Sequence, residues 1–134
     1  MKITYKSIKD FSQEELRDLF LSVEWSSGHY PDKLVAAMKN YGSVFTAWDN
    51  DKLVGLISSM DDGIMTAYIH YLLVNPDYQG RGIGTQLVKR TTEHYKGYLR
   101  IVLIAYDKEV DFYKHCGFVP GEDKTAMFIT SLWT

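Results

Sequence analysis

The sequence predicts a mixed α/β domain built around one central, largely antiparallel sheet. The chain has 134 residues, the length of a single domain. Its composition, 46% hydrophobic and 24% charged, is typical of a globular protein. Its candidate elements follow the order β-α-α-β-β-β-α-β-α-β-β, in which a meander of strands precedes one β-α-β unit. We therefore expect residues 1–134 to form one domain, with six to seven strands flanked by about four helices.

The first third of the chain is predicted to contain one strand and two helices. Residues 3–8 alternate between apolar and polar side chains, which indicates a strand. A capping box at residues 12–15 opens an amphipathic helix with apolar residues at i, i+3, i+4 and i+7. Residues 25–30 interrupt this pattern. Pro31 suits the first turn of a second helix, which we expect to end near Gly42.

The middle of the chain is predicted to be a meander of strands. Residues 44–48 and 53–59 are rich in β-favouring side chains, and the turn residues 49–52 between them indicate a hairpin. A second turn at residues 61–63 leads into a long strand over residues 66–74. Three consecutive antiparallel strands are therefore expected here.

The last third begins with a glycine-rich segment, residues 80–84, that opens a helix extending to about residue 95. Residues 99–105 form a continuous apolar run, which is typical of a strand covered on both faces. A short helix is expected over residues 109–115. Two closing strands complete the predicted sheet, at residues 118–119 and 126–132.

The composition excludes several classes of function. With 15 basic and 17 acidic residues the net charge is −2, so we expect no nucleic acid or membrane partner. A single cysteine rules out an internal disulfide and a cysteine-rich zinc site, and no metal is expected. Residues 1–6 do not resemble a targeting segment, and no apolar run reaches 18 residues. We therefore expect a cytoplasmic protein.

A glycine-rich loop between a strand and a helix is the main candidate binding feature. Glycines let backbone N–H groups turn toward one point, and a helix N-terminus adds unpaired donors and partial positive charge. This combination predicts a phosphate site, although a tight turn without a ligand is the alternative. A P-loop and a dinucleotide fingerprint are both excluded, because Thr85 and its neighbours break their spacing. The loop consists of Gln79, Gly80, Arg81, Gly82, Ile83, Gly84 and Thr85.

Two motifs give the chain a family resemblance. Residues 74–84, Val-Asn-Pro-Asp-Tyr-Gln-Gly-Arg-Gly-Ile-Gly, resemble the pyrophosphate-binding motif of the GCN5-related N-acetyltransferases, the GNAT family. Residues 112–118, Phe-Tyr-Lys-His-Cys-Gly-Phe, are similar to that family's Phe-Tyr-x-x-x-Gly-Phe motif. The resemblance is strongest over residues 66–118. It implies a GNAT-like acyl-CoA N-acyltransferase fold and acetyl-CoA-dependent transfer of an acetyl group to a primary amine.

The resemblance also implies where acetyl-CoA binds. The backbone amides of the glycine-rich loop would hold the pyrophosphate, and the side chains of Arg81 and Thr85 are able to add contacts. The strand before the loop would contain a bulge whose backbone pairs with the pantetheine arm. In this sequence that position corresponds to Leu72, Leu73 and Val74.

Tyr113 matches the position at which the family keeps a general acid for the departing thiolate. A phenol with a pKa near 10 is able to protonate a thiolate whose conjugate acid has a pKa of about 8.5 in a tuned site. The alternative is that Tyr113 only packs between Phe112 and Phe118. Many family members also carry an asparagine shortly before this tyrosine; here Asp107 is the polar residue available to the pantetheine arm.

The general base is less clearly indicated. The family often places a glutamate on the strand leading to the loop, but residues 66–74 contain no carboxylate. A two-residue period would put Tyr68, His70, Leu72 and Val74 on one face of that strand. His70 titrates near neutrality and is the candidate base, with a structural histidine as the alternative reading. A second candidate base is Glu24.

The resemblance places the acceptor site at the first two helices and the connection between them, residues 24–31. This connection contains Trp25, His29 and Tyr30. With Tyr68 beside the candidate base, these residues are the predicted acceptor contacts. Aromatic rings next to a carboxylate suit a cationic amine, carried by a small molecule or a peptide. The alternative is a hydrophobic plug over the core.

Three further alternatives concern mechanism, function and assembly. A nucleophilic Cys116 is disfavoured because adjacent helical residues such as His115 point about 100° away from it, so direct attack in a ternary complex is predicted. A non-catalytic acyl-CoA-binding module is the alternative to an enzyme; Tyr113 favours the enzyme and the missing carboxylate favours the module. A homodimer is expected by family analogy only, with the apolar residues 127–129 and Trp133 covering the sheet or a second copy.

Overall fold

The computed structural model describes residues 2–134 and contains one five-stranded sheet in the order β1-β2-β3-β4-β5. The strands are β1 (Thr4–Ser7), β2 (Ser43–Asp49), β3 (Lys52–Asp61), β4 (Thr66–Val74) and β5 (Arg100–Leu103). The helices are α1 (Gln13–Ser22), α2 (Pro31–Asn40), α3 (Ile83–His94) and α4 (Val110–His115). Short 3₁₀ turns lie at Ser26–His29, Pro76–Tyr78 and Asp107–Glu109. The predicted mixed α/β class is confirmed.

The strand pairings confirm the predicted meander. Each of the first three neighbouring pairs, β1–β2, β2–β3 and β3–β4, is antiparallel, and β4 pairs with β5 in parallel. The single parallel pair follows from the β4-α3-β5 crossover, since parallel neighbours need a long connection.

Local sequence signals set the ends of the first two helices as predicted. The Ser12 hydroxyl accepts a hydrogen bond from the Glu15 N–H (3.1 Å), and the Glu15 carboxylate accepts one from the Ser12 N–H (2.8 Å). This reciprocal pair satisfies two N–H groups at the start of α1. Pro31 occupies the first turn of α2, where its missing N–H costs nothing.

The sheet has a hydrophobic core on each face. Residues of α1 and α2 pack on one face, and residues of α3 and α4 pack on the other. The α1–α2 core contains Leu16, Leu19, Phe20, Leu34, Met38, Leu56 and Leu73 among its buried members. The α3–α4 core contains Val54, Ile57, Ile69, Ile83, Leu87 and Val88. The face on which a β4 side chain lies therefore decides which pair of helices it meets.

Two predictions about the end of the sheet are wrong. The sheet has five strands rather than six to seven, because residues 118–119 and 126–132 form no strand. Residues 119–133 are exposed throughout, so their apolar character is not used to cover the sheet. The run at 99–105 is not covered on both faces either: β5 is an edge strand, and Leu99 is 77% exposed. An apolar run alone does not distinguish a central strand from an uncovered edge.

A β-bulge interrupts β4 at His70. Ser58 of β3 pairs with Tyr71 and Ser59 pairs with Ile69, so His70 is the extra residue. The extra residue reverses the alternation of side chains. Ile69 packs in the α3–α4 core, yet Tyr71 packs against the α1–α2 core together with residues of α2.

The bulge corrects the predicted face of this strand and the predicted position of the irregularity. Tyr68 and His70 share a face, as expected, because their rings stack. Leu72 and Val74 lie on the opposite face, against the α3–α4 core. The bulge itself lies at His70, two residues before the segment 72–74 where the family resemblance placed it.

The sheet opens between β4 and β5. β5 pairs with β4 only from Thr66 to Ile69, whereas β4 continues to Val74. Residues 70–74 therefore have no strand on their outer side, and the backbone groups of that edge are left for another partner. The open edge begins at the bulge and runs to the glycine-rich loop.

Candidate active site

The glycine-rich loop presents the start of α3 to the open edge of β4. Gly80 and Gly82 have φ values of +78° and +79°, the left-handed region that favours glycine. Among the described residues no side chain caps α3, so the N–H groups of its first turn, at Ile83, Gly84 and Thr85, have no partner within the helix. Unpaired N–H groups at a helix N-terminus form a site for a phosphate group.

Hydrogen bonds hold this loop in place. The Tyr78 hydroxyl donates to the Asp49 carboxylate at the β2–β3 turn (2.6 Å), and this bond raises the pKa of the tyrosine. The Gln79 side-chain amide donates to the Val74 carbonyl (2.9 Å). The guanidinium of Arg81 lies over the Tyr78 ring, 5.4 Å from its centroid. The loop is therefore fixed by neighbouring elements rather than by its own sequence alone.

The bond between Tyr78 and Asp49 leads to the first prediction. The variants Tyr78→Phe and Asp49→Asn should each weaken acetyl-CoA binding roughly three- to tenfold, because the loop loses a hydrogen bond to a charged acceptor. Isothermal titration calorimetry of each variant measures this effect. The double variant should be no weaker than the worse single variant, since both remove the same interaction. Fully additive losses of acetyl-CoA affinity in the double variant would show that the two residues do not act through their shared hydrogen bond.

His70 is held by a tyrosine on the α1–α2 side of the sheet. The Tyr41 hydroxyl lies 2.6 Å from His70 Nδ1, and the His70 ring stacks on the Tyr71 ring with centroids 4.1 Å apart. His70 is exposed as a residue, but the rings packed around its imidazole partly remove it from water, and this desolvation lowers the pKa of His70 below its usual value of 6.5. Burial, with Tyr71 adding to it, raises the pKa of Tyr41 far above 10, so Tyr41 stays protonated. His70 is therefore neutral at pH 7. Its Nε2 is able to accept a proton in the tautomer in which Nδ1–H donates to the Tyr41 oxygen.

A cavity of about 270 Å³ adjoins His70 on the same face of the sheet. Its walls come from the 3₁₀ turn, from α2, from the bulge of β4 and from the C-terminal segment. The lining residues are Ser27, Tyr30, Lys33, Leu34, Ala37, Tyr41, His70, Tyr71 and Leu132. Because His70 belongs both to this cavity and to the open edge of β4, the two features are continuous. We call this space the acceptor-side cavity.

Tyr113 lies on the opposite face. Its ring packs between Phe112 and Phe118, with centroid distances of 5.1 and 5.9 Å, in the cluster that also receives Leu72 and Val74. Burial, followed by the charges of Glu109 and Cys116, raises its pKa to about 12. The structure gives its hydroxyl no hydrogen-bond partner within residues 2–134. Tyr113 is therefore a protonated phenol with a free donor.

Some of the predicted acceptor residues lie at the acceptor-side cavity and others lie away from it. Tyr30 lines the acceptor-side cavity, and the Tyr68 ring stacks on His70. Trp25 packs on Tyr71, behind the cavity wall. Glu24 and His29 are exposed and do not line the cavity. His70 is thus better placed than Glu24 to meet an acceptor.

Other residues around the predicted site differ from expectation or were not anticipated. Asp107 begins the exposed 3₁₀ turn after β5. The helical period of α2 puts Tyr41 on its inner face together with Leu34, and such a period does not separate a core position from a cavity wall. Tyr71 and Leu132 were not anticipated, because the bulge and the docking of the C-terminal segment are set by distant contacts.

Residues 2–134 contain neither a cluster of metal-ligating side chains nor a membrane-spanning helix. No three His, Cys, Asp or Glu side chains converge in a way that would suit a metal ion. None of the helices combines the length and the apolar character needed to cross a membrane.

Comparison with known proteins identifies the family. The model of the acetyltransferase (GNAT) family matches residues 8–118. The N-acetyltransferase ycf52 of Pyropia yezoensis is 29% identical over 133 residues, covering 91% of this chain and 76% of the relative. Its namesake in Gracilaria tenuistipitata is 27% identical over 114 residues, covering 81% of this chain and 63% of the relative. A GNAT-family acetyltransferase structure from Streptococcus pneumoniae superposes with a TM-score of 0.84 at 29% identity, covering 97% of this chain and 98% of the other. The chain belongs to the GNAT family of acetyltransferases.

Proposed function

We propose that the protein is an acetyl-CoA-dependent N-acetyltransferase that moves an acetyl group to a primary amine by direct attack in a ternary complex. Acetyl-CoA is the co-substrate that the GNAT family uses. The observation that carries the proposal is the open edge of β4, residues 70–74, which joins the acceptor-side cavity to the N-terminus of α3. A donor and an acceptor bound at its two ends would meet beside His70.

The donor side of the proposal rests on backbone groups. The outer edge of Leu72, Leu73 and Val74 has no strand beside it, and it suits the amide groups of a pantetheine arm, which would add to β4 as a further strand does. The Val74 carbonyl, which accepts from the Gln79 side chain, would exchange that bond for one to the arm. Arg81 would pair with a phosphate through its side chain. Asp107 is proposed as an additional polar contact. The pyrophosphate would be held by the backbone amides of Gln79, Gly80, Arg81, Gly82, Ile83, Gly84 and Thr85.

The chemistry requires the amine nitrogen to lose two protons and the departing sulfur to gain one. His70 would take a proton from the acceptor ammonium, directly or through a water molecule. The amine nitrogen then attacks the thioester carbonyl carbon; the C–N bond forms and the C–S bond breaks. Tyr113 would donate its proton to the departing sulfur and recover one, through solvent, from the acetylated nitrogen, which loses its second proton at this stage. The burial that raises the pKa of Tyr113 also destabilises a thiolate at the same place, so the proton remains transferable.

A panel of primary amines tests this function. Purified protein is mixed with acetyl-CoA and each amine, and release of the free thiol is followed. Turnover with at least one amine class, dependent on both substrates, is expected. Thermal stabilisation by CoA without turnover of any amine would overturn the proposal in favour of a non-catalytic acyl-CoA-binding module.

The compartment and the assembly state are part of the same proposal. The cytoplasm is proposed because the chain has a single cysteine, Cys116, so its fold does not rely on the internal disulfides that are common in oxidising compartments. A homodimer is proposed because large apolar side chains of the C-terminal segment are exposed, including Met127 (88%) and Trp133 (67%). Sedimentation at micromolar concentration distinguishes a dimer from a 15.5 kDa monomer.

A further inference from the structure

We infer that the acceptor is a small primary amine with an uncharged, apolar body, and that the acceptor-side cavity holds that body. This inference rests on the proposed function and narrows it to one class of substrate. It is carried by the chemistry of the cavity walls, by the pairing of their polar groups and by the way the C-terminal segment encloses the space.

The cavity walls are mainly rings and alkyl groups. Tyr30, Tyr41 and Tyr71 contribute aromatic surface, while Leu34 and Leu132 contribute aliphatic surface. No carboxylate lines the cavity, and its one formally charged residue is Lys33. A second ammonium on the acceptor would therefore find no counter-charge and would be repelled by Lys33. This disfavours diamines and polyamines.

The hydroxyl groups of the cavity are largely engaged with one another. Ser27 Oγ lies 2.9 Å from the Tyr71 hydroxyl, and the Tyr41 hydroxyl lies 2.6 Å from His70. A sugar or phosphosugar would bring several hydroxyl groups into this space, and each would lose its hydrogen bonds to water without an equivalent replacement. An apolar body carries no such cost and gains from leaving water.

The C-terminal segment limits the size of the acceptor. The main-chain oxygen of Thr134 accepts hydrogen bonds from the Ser27 N–H and the Ser27 hydroxyl, each 2.8 Å long. The Thr134 hydroxyl accepts another from the Ser26 N–H (2.8 Å). These bonds fix the segment that carries Leu132 as one wall. A volume of about 270 Å³ suits a small molecule, and an extended peptide would have to displace this wall.

The inference is tested by comparing kcat/KM for amines with an apolar body and amines with a charged or polar body. 3-Methylbutylamine and 2-phenylethylamine should have kcat/KM values about tenfold or more above those of 1,4-diaminobutane, spermidine, glucosamine 6-phosphate and a lysine peptide. A higher value for any of the polar acceptors would overturn the inference while leaving the transferase function intact. L-Phenylalanine is included as well, since a higher value than for 2-phenylethylamine would show that Lys33 pairs with a carboxylate and would also overturn it.

A pair of neighbouring alanines provides a matched control. Ala37 lines the cavity, whereas Ala36 is exposed on the same helix. Ala37→Asp should raise the ratio of kcat/KM for 1,4-diaminobutane to that for 3-methylbutylamine about tenfold, because it supplies the missing counter-charge. Ala36→Asp should leave this ratio within about twofold. Equal ratios in the two variants would overturn the inference.

A second pair of variants lies outside the helices and guards against a folding defect in the first. Leu132→Asp places a carboxylate in the cavity wall, and Met127→Asp places one on an exposed part of the same segment. The first should shift the ratio toward the diamine about tenfold and the second should not. An unchanged ratio in the Leu132 variant, with thermal unfolding like that of the parent protein, would overturn the inference. If no amine at all is acetylated although acetyl-CoA binds, the proposed function itself fails, and the inference fails with it.

Discussion

Replacing Tyr113 with phenylalanine is expected to lower kcat about 100-fold or more while leaving the affinity for acetyl-CoA within about twofold. The hydroxyl of the half-buried Tyr113 is protonated and has no partner within residues 2–134, so its removal breaks no hydrogen bond within the protein. Its loss matters only when charge develops on the departing sulfur. Steady-state kinetics gives kcat, and calorimetry gives the dissociation constant of acetyl-CoA.

Tyr5→Phe is the matched control for this variant. Tyr5 packs against the same α3–α4 core and loses the same hydroxyl group, but it lies on β1, at the far edge of the sheet. Its kcat should stay near the parent value. A Tyr113→Phe enzyme with kcat within about threefold of the parent would show that the tyrosine only packs between its two phenylalanine neighbours.

Replacing His70 with glutamine is expected to lower kcat/KM about 100-fold at pH 7.5 and to remove one ionisation from the pH profile. Desolvation of the ring holds the pKa of His70 below 6.5, so the imidazole is neutral at pH 7.5. As the pH falls through that pKa, the ring takes up a proton and can no longer accept one from the amine. The ratio of parent to variant kcat/KM should therefore decrease on the acid side, at a pH below 6.5.

In the ratio of parent to variant kcat/KM, the effect of the ionisation of the amine substrate cancels, because it is the same for both proteins. His94→Gln is a suitable control, because His94 is exposed near the end of α3 and contacts Phe45 and Tyr95 rather than the cavity. Its profile should match that of the parent. A pH-independent ratio for the His70 variant would exclude His70 as the general base and would leave Glu24 as the candidate base.

The parts of the fold that the sequence predicts well depend on local signals. The capping box at Ser12, the proline at the start of α2 and the turn residues of the β2–β3 hairpin act within a few residues of their own position. The glycine-rich loop was also predictable, since its left-handed glycines are needed by the local turn itself. For these elements the local preference and the final structure agree.

The parts that the sequence does not predict depend on partners far along the chain. The bulge at His70 exists only because Ser58 and Ser59 of β3 fix the register on both sides of it. The C-terminal wall depends on Ser26 and Ser27, which lie more than 100 residues before Thr134. The predicted strands at residues 118–119 and 126–132 do not form for the same reason. An apolar segment becomes a strand only where it pairs with the edge of a sheet.

The bulge in β4 has a consequence for how this enzyme would change over time. Because of this one extra residue, the side chains of Tyr68, His70 and Tyr71 lie on one face of β4. The side chains of Leu72 and Val74 lie on the other face. Substitutions at Tyr68 or Tyr71 would alter the choice of amine without disturbing the coenzyme side. Insertion or deletion of one residue within the strand would instead exchange the two sets of side chains at once. On the proposed function, point substitutions on one side of β4 would change acceptor preference, whereas a change in the length of the strand would disturb both halves of the reaction.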